Sequence, residues 1–220
     1  MKKLIVLPFF LAFNISFSQT FNWRNLDSAK PTIYYASANL EHGLSATLGS
    51  SYRFKKIKPL LVFLDLTIPA GKKILDDFKV RVGGKTKLID FENFVVSAAF
   101  SAIYRRYESD FVRMQNFGSE ASATAGYFRK KWFVAGEFGF DKAIITQFKH
   151  KDDYKLIFPD VKDGWYEPSA GGIFNYGLQG GFSLRNADIT INAGKLITQD
   201  FKTNPTIPFY VKFGFNLRVK

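Results

Sequence analysis

The sequence contains no cysteine, so it can form neither a disulfide framework nor a thiolate metal site. It has only two histidines, His42 and His150, which leaves few groups for metal binding or general-base catalysis. Beyond the N-terminus, no apolar run reaches the roughly 20 residues that a membrane-spanning helix needs. Serine-nucleophile motifs and phosphate-binding glycine loops are missing as well. We therefore predict no catalytic residue, no metal and no cofactor.

Charge does not indicate a nucleic-acid partner. Lys and Arg outnumber Asp and Glu by 31 to 19, which gives a formal net charge of +12. The basic residues are scattered through the chain instead of forming one block, and no nucleic-acid-binding motif accompanies them. The excess could instead attract lipid phosphate or acidic partners.

The N-terminus has the pattern of a secretory signal peptide. Lys2 and Lys3 precede an apolar stretch over residues 4–13, and Ser16 and Ser18 place small residues where a signal peptidase reads them. A membrane anchor is the alternative, but the apolar stretch is too short. We predict a signal peptide over residues 1–18 and one domain over residues 19–220. Residues 19–30 could form a periplasmic tail or lead into the first strand.

A period of two dominates from about residue 31 onward, as expected of strands with one apolar and one polar face. The final segment shows it best, because its alternate residues are apolar: Phe209, Val211, Phe213, Phe215, Leu217 and Val219. Residues 44–54 and 174–185 repeat the pattern. Their lengths suit the roughly 9–11 residues of a membrane-spanning strand.

Two features favour a lipid-facing barrel over a soluble sandwich. The polar faces are rich in Gly, Ser, Thr, Asn and Gln, which suit a narrow lumen. Aromatic residues also flank charged turns, as where Tyr127 and Trp132 bracket Arg129, Lys130 and Lys131. Amphipathic rings beside charged turns are typical of the membrane interface.

The pattern predicts ten strands, with eight as the alternative if the weak segment 69–90 is a loop. The predicted strands are 31–40, 43–54, 58–68, 74–83, 86–104, 110–128, 132–149, 171–185, 188–199 and 207–219. Short turns at 55–57, 84–85, 129–131 and 186–187 then share one end, and the longer connections share the other.

The leader, the amphipathic strands and the aromatic-rich last strand together resemble the small outer-membrane β-barrel families of Gram-negative bacteria. The resemblance implies an all-β fold, namely a transmembrane antiparallel up-and-down barrel in the outer membrane with lipid around it. One departure is the C-terminus, which ends in Val219 and Lys220 where such proteins commonly end on an aromatic residue.

Six charged residues are predicted to point into the lumen. They are Arg53, Glu137, Asp141, Arg185, Lys212 and Arg218. These residues could line a weakly anion-favouring pore or form a plug of ion-paired side chains. The plug is favoured, because a barrel of eight to ten strands is only just wide enough for its own side chains.

The long connection 150–170 carries four aromatic residues, Tyr154, Phe158, Trp165 and Tyr166. They could form a contact surface for a partner or fold over the barrel mouth as a lid. His150 precedes Asp152 and Asp153, so a base pair or metal site is conceivable, but a solvated loop of mixed charge is favoured.

These observations predict a non-enzymatic outer-membrane barrel that acts as an interaction or scaffold subunit of a cell-envelope assembly, with protein partners. The alternative is a narrow porin-like channel for small solutes. A hydrolase or acyltransferase at the outer rim is a third candidate.

Overall fold

The structure is a computed structural model that describes residues 20–26, 29–41, 43–54, 60–70, 76–168, 171–203 and 205–220. The predicted signal peptide over residues 1–18, His42 and the predicted turn at 55–57 lie outside the described residues. Within the described parts of the chain, no helix is long and apolar enough to cross a membrane.

Eleven strands and one short helix make up the regular structure of the described residues. The strands are β1 Thr32–Leu40, β2 Leu44–Phe54, β3 Leu60–Pro69, β4 Asp77–Phe91, β5 Phe94–Glu108, β6 Val112–Phe128, β7 Trp132–His150, β8 Gly164–Tyr166, β9 Gly172–Ser183, β10 Ala187–Thr198 and β11 Phe209–Val219. Helix α1, Asp152–Ile157, lies between β7 and β8, and a 3-10 turn, Trp23–Asn25, precedes β1.

The strands form a closed antiparallel barrel of ten strands. Consecutive strands pair with one another, and β1 pairs with β11 from Thr32 opposite Val219 to Leu40 opposite Val211, which closes the sheet. Strand β8 is not one of the ten barrel strands. It pairs only with Thr146 to Phe148 of β7, beyond the residues of β7 that pair with β9. The prediction of ten strands is confirmed, and the eight-strand alternative is wrong.

The predicted turn at 84–85 is wrong. Strand β4 continues through both glycines to Phe91, and the turn is formed by Glu92 and Asn93, with Glu92 at a positive φ of 47°. A Cβ atom at Gly83 would lie 2.4 Å from the carbonyl oxygen of Phe100. Gly83 therefore allows β4 and β5 to approach closely, and it does not mark a turn. Strand β5 is shifted in consequence and runs to Glu108 instead of ending at 104.

The barrel turns its apolar side chains outward and its polar side chains inward. Large apolar residues on alternate positions are exposed, including Leu48, Leu64, Phe100, Phe138, Leu178 and Phe213, at 52% to 65% of their full area. Polar residues on the intervening positions, such as Thr47, Asp65, Ser101 and Asn216, are buried. A soluble protein has the opposite arrangement, so the outward face suits a hydrocarbon surrounding.

The two ends of the barrel differ in their connections. The turns at 92–93, 129–131 and 184–186 lie on the side of the barrel where β1 begins and β11 finishes. We call this side the terminal end. The connections at 109–111, 151–171 and 199–208 share the other end, which we call the loop end.

Candidate functional site

The middle of the lumen is filled by an ion-paired network around Arg81 of β4. Its guanidinium donates to both carboxylate oxygens of Asp65, at 2.9 and 2.7 Å, and to Glu120 Oε2 at 3.0 Å. The Tyr35 hydroxyl donates to the same Asp65 carboxylate at 2.9 Å. The Arg81 side chain is 2% exposed, so one buried cation lies between two buried carboxylates.

Two further clusters fill the lumen beside this network. Arg105 pairs with Asp141 and donates to Asn116 Oδ1 at 2.8 Å. On the far wall, the Tyr210 hydroxyl and Asn192 Nδ2 both donate to the Glu137 carboxylate. Because a buried carboxylate is tolerated only with such partners, these hydrogen bonds allow the acidic residues to stay inside.

The charges inside the lumen balance. Among the described residues, the buried cations are Lys79, Arg81, Lys85, Arg105, Lys212 and Arg218, and the buried anions are Glu41, Asp65, Glu120, Glu137, Asp141 and Asp188. Six buried groups of each sign give a formal balance, and ion pairs join Arg81, Arg105 and Arg218 to four of the acids. The arrangement is one of bridged side chains inside the lumen.

The terminal end of the lumen is filled differently, by residues 20–26. Phe21 and Trp23 are buried there, with their ring centroids 4.9 Å apart. They join an apolar cluster whose wall residues are Ile33, Leu61, Val95, Phe128, Phe133 and Ala135. This N-terminal segment is thus neither a free tail nor a strand; it is an internal plug.

Hydrogen bonds fix the N-terminal segment to four strands and a turn. Thr20 donates to Gln179 Oε1 at 2.9 Å, while its own carbonyl accepts from Asn216 Nδ2 at 2.7 Å. Asn192 Nδ2 donates to Thr20 Oγ1 at 2.6 Å. Asn22 Nδ2 donates to the Arg129 carbonyl at 2.6 Å, and Arg53 of β2 donates to the Leu26 carbonyl.

Five of the six residues predicted to point into the lumen are found inside it or at its edge. Glu137, Asp141, Lys212 and Arg218 are buried, and Arg53 is half-buried at the terminal end. Arg185 is a correction: β9 ends at Ser183, so this side chain lies exposed in the turn at 184–186.

Most of the buried charged residues were not predicted from the sequence. The residues not predicted are Glu41, Asp65, Lys79, Arg81, Lys85, Arg105, Glu120 and Asp188. The sequence of β4 contained a usable signal, because Lys79, Arg81 and Lys85 occupy alternate positions that place them on the same face of the strand as Gly83. The prediction ended this strand at Gly83 and therefore did not place Lys85 on that face.

Three of the four loop aromatics stack above the loop end of the lumen. Ring contacts run from Tyr166 to Phe148, then to His150, Tyr154 and Phe158, with successive centroids 4.9 to 6.4 Å apart. Tyr154 is partly buried, while Phe158 and Tyr166 remain about half exposed. The stack presents apolar surface to solvent at the loop end.

His150 pairs with Asp163 and not with the adjacent Asp152 or Asp153. Its Nδ1 lies 3.0 Å from Asp163 Oδ1, and the same oxygen accepts the His150 backbone N–H at 2.8 Å. The Lys155 ammonium donates to the other oxygen at 2.6 Å and, with the His150 N–H, holds the pKa of Asp163 well below its usual range. The Asp163 carboxylate therefore holds the loop against the end of β7. No hydroxyl group among the described residues is hydrogen-bonded to the His150 imidazole, as a serine or threonine nucleophile would be.

The fourth loop aromatic, Trp165, belongs to the outward face. Its ring centroid lies 6.1 Å from that of Phe117, which continues to Tyr104 and Phe78 along the loop end of the apolar surface. At the terminal end, Tyr127 and Trp132 form a matching pair, 5.8 Å apart.

Aromatic rings thus border the outward apolar face at both ends, as they do at the two interfaces of a bilayer. The chain is an outer-membrane β-barrel protein. Short turns in such barrels face the periplasm and longer loops face outward, so we expect the terminal end to be periplasmic.

No family model and no curated protein matches the sequence. Among solved structures, the chain is similar to a KdgM porin in complex with disordered oligogalacturonate, with 10% identity over 86% of this chain and 99% of the porin, and a TM-score of 0.46. It is similar to the outer membrane protease OmpT from Escherichia coli, with 10% identity, coverages of 84% and 91%, and a TM-score of 0.44. Ail, the attachment invasion locus protein of Yersinia pestis, gives 8% identity, coverages of 85% and 96%, and a TM-score of 0.37.

Proposed function

We propose that this protein is a non-enzymatic outer-membrane scaffold that holds a partner of the cell envelope through its exposed ends. The filled lumen is the observation that supports this proposal best. Arg81 and Tyr210 are only 2% and 0% exposed, and the N-terminal segment occupies the terminal end of the lumen. This filling supports a role for the exposed surfaces of the barrel over a role in passing solutes.

The loop end offers a surface suited to a protein partner. Leu156, Ile157 and Phe158 follow one another at the end of α1 and are 80%, 66% and 52% exposed. Consecutive apolar side chains that stand out from a loop are typical of contact surfaces. The Asp163 bonds to His150 and Lys155 hold this loop in one shape, which lowers the entropy lost on binding.

Planar-bilayer recording of the purified full chain tests the absence of a pore. We expect no stable conductance steps from the native protein. We also expect none from a variant that lacks residues 20–26, because the charged networks above the N-terminal segment still fill the lumen. Stable steps from the native protein would support the porin-like channel instead, and steps from the deletion variant alone would indicate a gated channel.

Photo-crosslinking on intact cells tests the partner. A crosslinking residue at Leu156 should give a discrete protein adduct. A matched control is Phe213, which is 61% exposed on the lipid-facing surface and should give none. Adducts of the same size from both positions, or from neither, would contradict a protein partner at the loop end.

A further inference from the structure

A basic cleft lies at the terminal end, beside the N-terminal segment. Its volume is about 370 Å³, and it is lined by Arg24, Asn25, Leu26, Lys30, Arg185 and Arg218. Four of these six side chains are cations, and none of the described lining residues is acidic. These cations are not part of the lipid-facing surface of the barrel, because the cleft faces the barrel mouth.

The cations of the cleft fall into two pairs. Arg24 and Arg218 are held by the barrel, since they pair with Asp90 at 2.8 Å and Asp188 at 2.6 Å. Lys30 donates only to the neutral side chain of Asn186, and Arg185 lies exposed in its turn with no acidic partner among the described residues. Lys30 and Arg185 are therefore available to an anionic ligand, at a site that the other pair helps to shape.

Among the described residues, the excess positive charge lies at the terminal end, where the cleft is found. Apart from the twelve buried charges of the lumen, the terminal end has nine described cations and two described acids. The cations are Arg24, Lys30, Arg53, Lys87, Arg129, Lys130, Lys131, Arg185 and Lys220, and the acids are Asp90 and Glu92. At the loop end, nine cations are matched by ten acids: Arg106, Arg113, Lys142, Lys149, Lys151, Lys155, Lys162, Lys195 and Lys202 against Asp76, Asp77, Glu108, Asp110, Asp152, Asp153, Asp160, Asp163, Glu167 and Asp200.

We propose that the cleft binds carboxylate side chains of an acidic peptide segment belonging to a periplasmic protein. The cleft is walled by the N-terminal segment and by Arg218, which lie on the lumen side, so it opens at the barrel mouth and not on the lipid-facing surface. A guanidinium matches a carboxylate in a bidentate pair, and the surrounding basic surface would steer an extended acidic ligand inward. This inference rests on the proposed scaffold function and adds a second, periplasmic partner to it.

Fluorescence anisotropy tests the proposal with a labelled hexaglutamate peptide and the full chain in nanodiscs of neutral lipid. The test variant is Lys30→Gln with Arg185→Gln. The matched control is Lys162→Gln with Lys202→Gln, which removes the same charge from exposed lysines at the loop end. We expect the test variant to bind the peptide about tenfold more weakly than the native protein, and the control to change affinity less than about twofold.

Two results would overturn the proposal. Equal weakening by both variants would show that the peptide responds to net charge alone. Displacement of the peptide by equimolar inorganic phosphate would show a site for small anions instead of a peptide site. Circular dichroism of each variant verifies that the barrel has folded. Because the loop-end partner is tested separately at Leu156, failure here would leave the scaffold proposal itself standing.

Discussion

The lumen is closed by two different kinds of chemistry at two heights. Near the terminal end, Phe21 and Trp23 complete an apolar cluster that resembles the core of a soluble protein. Farther inside, Arg81, Asp65 and Glu120 are equally buried as a charged triad. Both regions are buried, but the loss of a contact has a different consequence in each. An apolar contact that is lost leaves a cavity, whereas a charge that loses its partner stays buried and uncompensated.

The largest expected effect follows from breaking the charged region. Arg81→Met should destabilise the barrel by about 3–5 kcal/mol, because it leaves the carboxylates of Asp65 and Glu120 buried without their cation. Urea unfolding in lipid vesicles measures this effect. The control replaces the whole triad, with Asp65→Leu and Glu120→Leu added to Arg81→Met, and it should recover most of the lost stability. A triple variant as unstable as the single one would mean that unpaired charge is not the cause.

A smaller effect is expected from the apolar region. Trp23→Ala should weaken the docking of the N-terminal segment by about 3 kcal/mol, near the low end for removing a buried aromatic side chain, since the short segment can partly readjust. The barrel wall keeps all of its strand pairing, so the loss should be local. Hydrogen exchange should therefore accelerate at residues 20–26 and not in β1 to β11. Faster exchange throughout the strands would show that the segment is part of the global fold.

The smallest effect on the fold is expected where a similar ion-paired cluster is exposed. Asp163→Asn should leave urea stability unchanged but should make the loop between β7 and β9 more sensitive to trypsin at Lys155 and Lys162. The folded pKa of Asp163 lies below its ordinary value of about 4, so its contribution is complete above that pH and is lost only in stronger acid. A large drop in urea stability would contradict the separation of loop and barrel.

The strand pattern was readable from the sequence because lipid and lumen impose opposite demands on alternate residues. Strands β2 and β11 keep this alternation throughout, and their predicted ends lie within two residues of the observed ones. Gly83 misled the prediction, because a glycine inside a strand and a glycine in a turn look alike in sequence. Only the facing carbonyl of Phe100 shows that a side chain would not fit there.

The N-terminal segment and the lumen networks were harder to predict. Residues 20–26 carry no strand periodicity, and Thr20 bonds to Gln179 and Asn192, which lie 159 and 172 positions away. The periodicity of neighbouring residues carries no information about partners so distant in the sequence. Likewise, His150 precedes Asp152 and Asp153 in sequence, but the fold of the loop brings Asp163 to it instead.

Thr20 links the first described residues to the last strands of the barrel. Its hydrogen-bond partners Gln179, Asn192 and Asn216 belong to β9, β10 and β11, the last three strands in the sequence. These bonds can form only when the last strands lie beside the N-terminal segment, and contacts between such distant parts of a chain form slowly. We therefore expect Trp23 to become buried late in folding, so its fluorescence would follow the docking of the segment in a variant with Trp132→Phe and Trp165→Phe.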